Sequence, residues 1–202
     1  MAIAPAVSLT RDDTVASGTS YGSYAVPGLH IDHRQQWVSI QFDTPHSVLS
    51  SATVNGGLTR SSHWLNLQVS GNKRDGNRRP TTTVAALCKQ QRWSDCTVAM
   101  MTAAAMRSLR VRSASLEDHL VLVAATTGLS NARRVADCAE YRHLNDAVDH
   151  SGTINIAVIT DLQLDPATMV EALMVVTEAK AAALQVRDIR SPLSNGIATG
   201  TG

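Results

Sequence analysis

His119-Leu-Val-Leu-Val-Ala-Ala125 runs directly into Thr126-Thr-Gly-Leu-Ser-Asn-Ala-Arg133. A near-continuous apolar run of this length suits a central strand covered on both faces. The small polar residues after it suit a turn at the strand's end, with Ser130 or Asn131 as N-cap of a helix over 130–138. A buried strand of this kind needs other strands beside it and helices over it, so the reading extends outward in both directions. Trp37-Val-Ser-Ile-Gln-Phe42 alternates as a half-buried strand does, and Asp43 to His46 read as a turn. Residues 48–54 form a second strand ended by Asn55-Gly56, and residues 64–69 a third. Thr82 to Gln91 reads as a helix, and Cys96 to Met101 as a short apolar strand or buried helix entry. Gly152 to Ile159 is a further strand. Asp165 is placed to cap, and Pro166 to open, a helix reaching about Val186. Met169, Val170, Leu173, Val176 and Leu184 are its expected core side. About five or six strands and three helices, not strictly alternating, predict an α+β fold: a single domain with a mixed β-sheet packed by helices. Residues 1–35 are rich in Ser, Thr, Gly and Asp without periodicity and are expected to be an irregular N-terminal lead-in to a domain over 36–202.

The bulk numbers say little about function. The 202 residues suffice for one sizeable core. Eighteen basic against 17 acidic residues leave a net charge of +1, which argues for neither a nucleic-acid nor a membrane-surface partner. Aromatics are only 3%, so Ala, Val and Leu must fill the interior. Cys88, Cys96 and Cys138 are odd in number and lack C-x-x-C spacing, against a disulfide scaffold or zinc knuckle and in favour of a reducing, cytoplasmic setting. The N-terminus lacks a basic stretch before its short apolar segment, so no export signal is expected. His30-Ile-Asp-His33 has a metal-compatible spacing without further ligands nearby, and no metal is expected. G-x-S-x-G, H-E-x-x-H and P-loop patterns are absent.

Four small polar clusters at the ends of apolar runs hold the functional signal: Ser50-Ser-Ala-Thr-Val-Asn-Gly-Gly-Leu58, the 126–133 segment, Gly152-Thr-Ile-Asn155 and Thr177-Glu-Ala-Lys180. In the first, Asn55, Gly56 and Gly57 suit a tight turn, or a backbone that a ligand approaches closely and whose N–H groups hold an oxyanion. His63 follows as a possible base or polar contact, or as a structural histidine. Thr127 and Asn131 lie where strand-end sites collect. Lys180 falls seven residues after Leu173, on the apolar side of its helix, where a lysine snorkels, pairs or acts.

These clusters resemble the adenosylcobinamide amidohydrolases of corrinoid salvage. The matching pieces, in the family's order, are Leu49-Ser-Ser-Ala with Asn55-Gly-Gly57, Asn66-Leu-Gln-Val69, Met100-Met-Thr-Ala-Ala104, Thr127 to Arg133, Gly152 to Asn155, Thr177 to Lys180, and Ala198-Thr-Gly-Thr-Gly202. They cover roughly residues 45–202. The family usually continues the last piece into Thr-Asp and an apolar strand, so either the sequence stops short of that strand or a final strand is missing here. Val135-Ala-Asp137 stands where Ala-Gly-Asp is more typical.

The resemblance implies hydrolysis of the amide that joins the aminopropanol arm to the corrin ring. The corrinoid is then a small-molecule substrate rather than a cofactor, and its ring is expected to lie on a low-charge apolar rim. Amide hydrolysis needs an attacking water or hydroxyl, a base, an oxyanion site and an acid for the leaving amine. On this reading His63 or Glu178 is the base and Lys180 polarises or protonates. Asn55, Gly56 and Gly57 hold the oxyanion, and Asn66, Thr127, Asn131, Thr153 and Asn155 line the substrate. A nucleophilic Thr153 exposed by self-cleavage is a variant. A non-catalytic corrinoid-binding module and a hydrolase of another small amide are the competing classes.

Overall fold

Successive hairpins build the first sheet of the computed structural model, which describes residues 10–12, 20–69, 79–93, 97–138 and 152–201. Strands β1 (Thr10–Asp12), β2 (Ser20–Val26), β3 (Leu29–Arg34), β4 (Trp37–Ser50) and β5 (Gly57–Gln68) each pair antiparallel with the next. Helix α1 (Pro80–Gln91) then carries the chain back so that β6 (Val98–Thr102) joins β5 in parallel. A parallel neighbour requires such a crossover, because a tight turn reverses the chain. The sheet order is β1-β2-β3-β4-β5-β6.

After a 3-10 turn at Met106–Ser108, β7 (Arg110–Leu116) and β8 (His119–Thr127) form a hairpin. The two-residue strand β9 (Ala132–Arg133) follows, then β10 (Ile154–Thr160), α2 (Pro166–Val186) and β11 (Gly200–Thr201). Strand β8 lies between β10 and β7, antiparallel to both, while β9 pairs with β11. Asp165 caps α2, its carboxylate accepting from the Thr168 N–H at 2.8 Å, with Pro166 in the first turn.

The two larger sheets pack face to face. Val26, Leu29, Ile31, Val38, Ile40 and Trp64 of the first sheet share one core with Leu122 and Ala124 of β8. The opposite face of the first sheet holds Trp37, Leu65, Leu67 and Ala99 under Val84 and Cys88 of α1. Alternation along β5 therefore decides which layer each side chain enters: Trp64 faces the second sheet and Leu65 faces α1. A third, small core joins Leu184 of α2 to Ala132 and Ala198.

The α+β class with mixed pairing is as expected, but four local expectations are corrected. Residues 20–34 are not irregular: they form β2 and β3, inside the first sheet. Residues 43–46 do not end a strand. Strand β4 continues through them with a register shift between Gln41 and His46, around Pro45, which has no N–H for the ladder. The segment 130–138 is not helical. The Asp137 carboxylate accepts from the Arg134 N–H at 2.7 Å, and the Arg133 carbonyl is taken by the Thr199 N–H at 2.9 Å, so both backbone groups are used outside a helix. Finally, Val170 and Leu173 of α2 are 50% and 48% exposed rather than core.

Candidate functional site

Asn66 points from β5 into the layer between the sheets and is fully buried. A buried amide must find partners, and this one does so across the gap. Its Nδ2 donates to Thr126 Oγ1 of β8 at 2.7 Å, and its Oδ1 accepts from Asn155 Nδ2 of β10 at 2.8 Å. Asn155 Nδ2 also lies 3.4 Å from the Met101 carbonyl of β6. Donors thus run in one direction, Asn155 to Asn66 to Thr126, which ties four strands into one polarised chain.

Above this chain, the ends of β8 and β10 close tightly. The Gly128 N–H donates to the Thr153 carbonyl at 3.0 Å. A Cβ on Gly152 would fall 2.6 Å from the Gly128 carbonyl oxygen and 2.7 Å from Ser130 Oγ, so no larger residue fits there without movement. Strand β11 comes alongside, with Thr201 Oγ1 accepting from the Ile154 N–H at 3.3 Å. The half-buried Lys180 of α2 reaches the same place: its Nζ lies 3.4 Å from where a Cβ on Gly200 would stand. Lys180 has no carboxylate partner among the described residues. The ends of β8 and β10 thus carry Thr127 and Thr153, Thr201 of β11 bonds to the second of these strands at Ile154, and Lys180 stands against Gly200.

On the other face of the first sheet lies a separate cluster. His63 is three residues from Asn66, an odd separation, and so enters the opposite layer. It is 3% exposed, its Nδ1 is 2.8 Å from Thr97 Oγ1, and its ring meets Trp93 at 4.5 Å between centroids. Burial pushes its pKa down to about 4, because the cation cannot be hydrated there. Asn55 meets the same residue, donating from Nδ2 to the Thr97 carbonyl at 2.9 Å. Asn55 has φ 53° and Gly57 φ +86°, and a Cβ on Gly56 would stand 2.3 Å from the Ala52 carbonyl oxygen. The Asn-Gly-Gly sequence is thus what this tight turn requires.

The description of the adenosylcobinamide amidohydrolases matches residues 24–202. The chain belongs to that family. No curated protein and no solved structure matches it. The matched span begins within β2, so the family unit includes residues that the sequence reading assigned to a lead-in.

Of the residues singled out in the sequence, Asn66 and Asn155 are hydrogen-bonded to each other, Thr153 and the exposed Thr127 lie at the adjoining ends of β10 and β8, and Lys180 stands against Gly200. Asn131 is buried at the start of the turn into β9. His63 stands on the far side of the first sheet, and Asn55, Gly56 and Gly57 form the turn that enters β5. Glu178 is exposed, and at 3.6 residues per turn it lies about 160° around α2 from Lys180. His30 and His33 fall on opposite faces of β3: His30 is exposed, while buried His33 uses Nε2 to reach the Met106 carbonyl at 2.8 Å. No group of three or more metal-ligating side chains occurs among the described residues. Three participants were missed. Thr126, rather than its neighbour Thr127, enters the amide chain, and the near-continuous apolar run of β8 gave no alternation to mark it. Thr97 anchors both Asn55 and His63 with nothing local to mark it. Thr201 lay in a quoted motif without a role.

Proposed function

We propose that this protein hydrolyses the amide joining the aminopropanol arm to the corrin ring of adenosylcobinamide, giving adenosylcobyric acid and aminopropanol. Membership of the family supports the reaction type. The observation that carries the site is Lys180, a half-buried cation without a carboxylate partner among the described residues, set against Gly200 at the end of the second sheet. Its ammonium suits the developing oxyanion of an attacked carbonyl. Water adds across the C–N bond: its oxygen joins the carbonyl carbon and a proton passes to the leaving nitrogen. Thr201, next to Gly200, and Thr153, next to Ile154, supply hydroxyls at the neighbouring strand ends, and the buried Asn66–Asn155 pair keeps the two sheets in register. His63 lies behind the sheet, enclosed and neutral, so we assign it a structural part rather than that of the base.

The test is mass spectrometry of adenosylcobinamide incubated with the folded protein. Equimolar adenosylcobyric acid and aminopropanol are expected. Unchanged substrate would remove the hydrolase reading.

A further inference from the structure

Helix α2 presents an apolar strip that stays about half exposed. Val170, Leu173 and Met174 are 50%, 48% and 59% exposed. With Thr177 and Ala181 they follow the i, i+3, i+4, i+7 spacing that places side chains on one face. From Val170 to Ala181 the strip is about 16 Å long, at about 1.5 Å per residue. Large apolar groups exposed side by side on a helix mark a binding surface more often than scattered ones do.

The strip does not stop at Ala181. There it meets a groove of about 360 Å³ lined by Arg134, Val135, Ala181, Gln185, Ile197, Ala198 and Thr199. The Arg134 side chain lies over Gly196, where a Cβ would come within 2.8 Å of its Nη1, and has no carboxylate partner among the described residues. Thr199 accepts the Val135 N–H at 3.0 Å, which leaves its hydroxyl proton to donate. The groove therefore ends in donors, from Arg134, Thr199 and Gln185. Lys180, one residue before Ala181, marks where this surface adjoins the reaction site.

We infer that the strip and groove are the seat of the substrate's corrin ring, with Val170, Leu173 and Met174 under its apolar face and Arg134 and Thr199 donating to the carbonyls of its peripheral amides. This rests on the amidohydrolase reading. A broad macrocycle fringed with carboxamides matches a surface that is apolar along the strip, with Glu171 and Glu178 at its edge, and donor-rich at one end. The contact is contiguous with Lys180, which the scissile arm must reach.

The experiment measures KM and kcat for adenosylcobinamide in wild type, the double variant Leu173→Gln/Met174→Gln, and the control Val186→Gln, with light scattering of each for oligomeric state. Val186 is 83% exposed and off the strip. A milder pair, Leu173→Ala/Met174→Ala, serves if the first does not fold by circular dichroism. The double variant is expected to raise KM about tenfold, a factor that corresponds to losing one modest apolar contact. Its kcat should stay within about twofold, since the groups around the scissile amide are untouched, and Val186→Gln should change neither. Unchanged KM in the strip variants, with active wild type, overturns the inference and leaves the amidohydrolase reading standing. Wild type that turns over no corrinoid overturns both. A wild-type dimer that the strip variants convert to monomer without a change in KM makes a second copy of the chain the occupant and also overturns it.

Discussion

Lys180 and Glu178 are two residues apart in sequence and on nearly opposite sides of their helix. That separation yields a direct comparison. Lys180→Met removes the only group we place on the oxyanion, and kcat is expected to fall about 100-fold or more, in the range seen when an oxyanion donor is lost. Glu178→Gln, on the exposed side, is expected to leave the rate close to wild type. Initial rates of acid formation check both, and a large loss in the glutamine variant would return Glu178 to the mechanism. The buried amides give a second residue-scale prediction. Asn66→Ala or Asn155→Ala alone leaves a buried partner unsatisfied, at about 1–3 kcal/mol each. Because Asn155 Nδ2 donates to Asn66 Oδ1, the double variant should cost less than the sum of the two by at least about 0.5 kcal/mol. Urea denaturation of the four proteins measures this, and strict additivity would argue against the bond. At this scale, single residues were legible when their chemistry was unusual for their place, as with Asn66 and Asn155 inside apolar strands. Thr126 and Thr127 were not distinguishable as neighbours, because only the register of β8 against its partners decides which of them faces inward.

Turns and helices show why elements were harder to read than residues. Gly152 and Gly128 occupy one strand end each, and nothing in either local sequence says that they meet. In the fold a Cβ at 152 would stand 2.6 Å from the Gly128 oxygen. Gly152→Ala is therefore expected to cost more than an ordinary surface substitution, about 1–3 kcal/mol as for other overpacked sites. The matching control is Gly28→Ala, where a Cβ meets nothing within 4 Å but the backbone φ is +82°. Its penalty should be near 1 kcal/mol and purely conformational. Thermal denaturation, combined with activity, separates the two: only the first should also disturb turnover, through the strand ends that carry Thr127 and Thr153. Helix α2 was recognisable from its cap and proline, but not which side it buries. Val, Leu, Met and Ala surround most of its circumference, so periodicity had no single apolar side to select. The expected helix over 130–138 failed for the reverse reason. Its backbone groups found partners in Asp137 and in the distant Thr199, and sequence spacing shows no trace of the second.

For the whole molecule, two buried histidines make stability depend on pH. His63 is pushed from 6.5 to about 4 by burial, and His33 is lowered for the same principal reason. The unfolded chain takes up these protons below about pH 6.5, whereas the fold refuses the one on His63 until about 4. The unfolded state then binds more protons, so stability falls as the pH drops through that window. His63 alone accounts for about 3 kcal/mol by its lower end, at about 1.4 kcal/mol per pH unit. Asp137 and Asp165, held low by hydrogen bonds, stabilise above their ordinary range and lose that contribution only at more acid pH. Urea midpoints should decline from pH 6.5 towards 4 in wild type and less steeply in His63→Gln; equal slopes would mean that His63 is hydrated in the fold. The amino-acid sequence by itself determined the α+β class, the cap of α2, the turn at Asn55-Gly56-Gly57 and the family. Each of these is written in residues close together in the chain, where φ preferences, capping and alternation act over a few positions. Tertiary structure decided that His63 and Asn66 belong to opposite layers, that Lys180 meets Gly200, and that α2 leaves Val170, Leu173 and Met174 in water. Those outcomes depend on which strands pair and in what register, and pairing is settled by burial summed over the whole chain rather than by any segment of it.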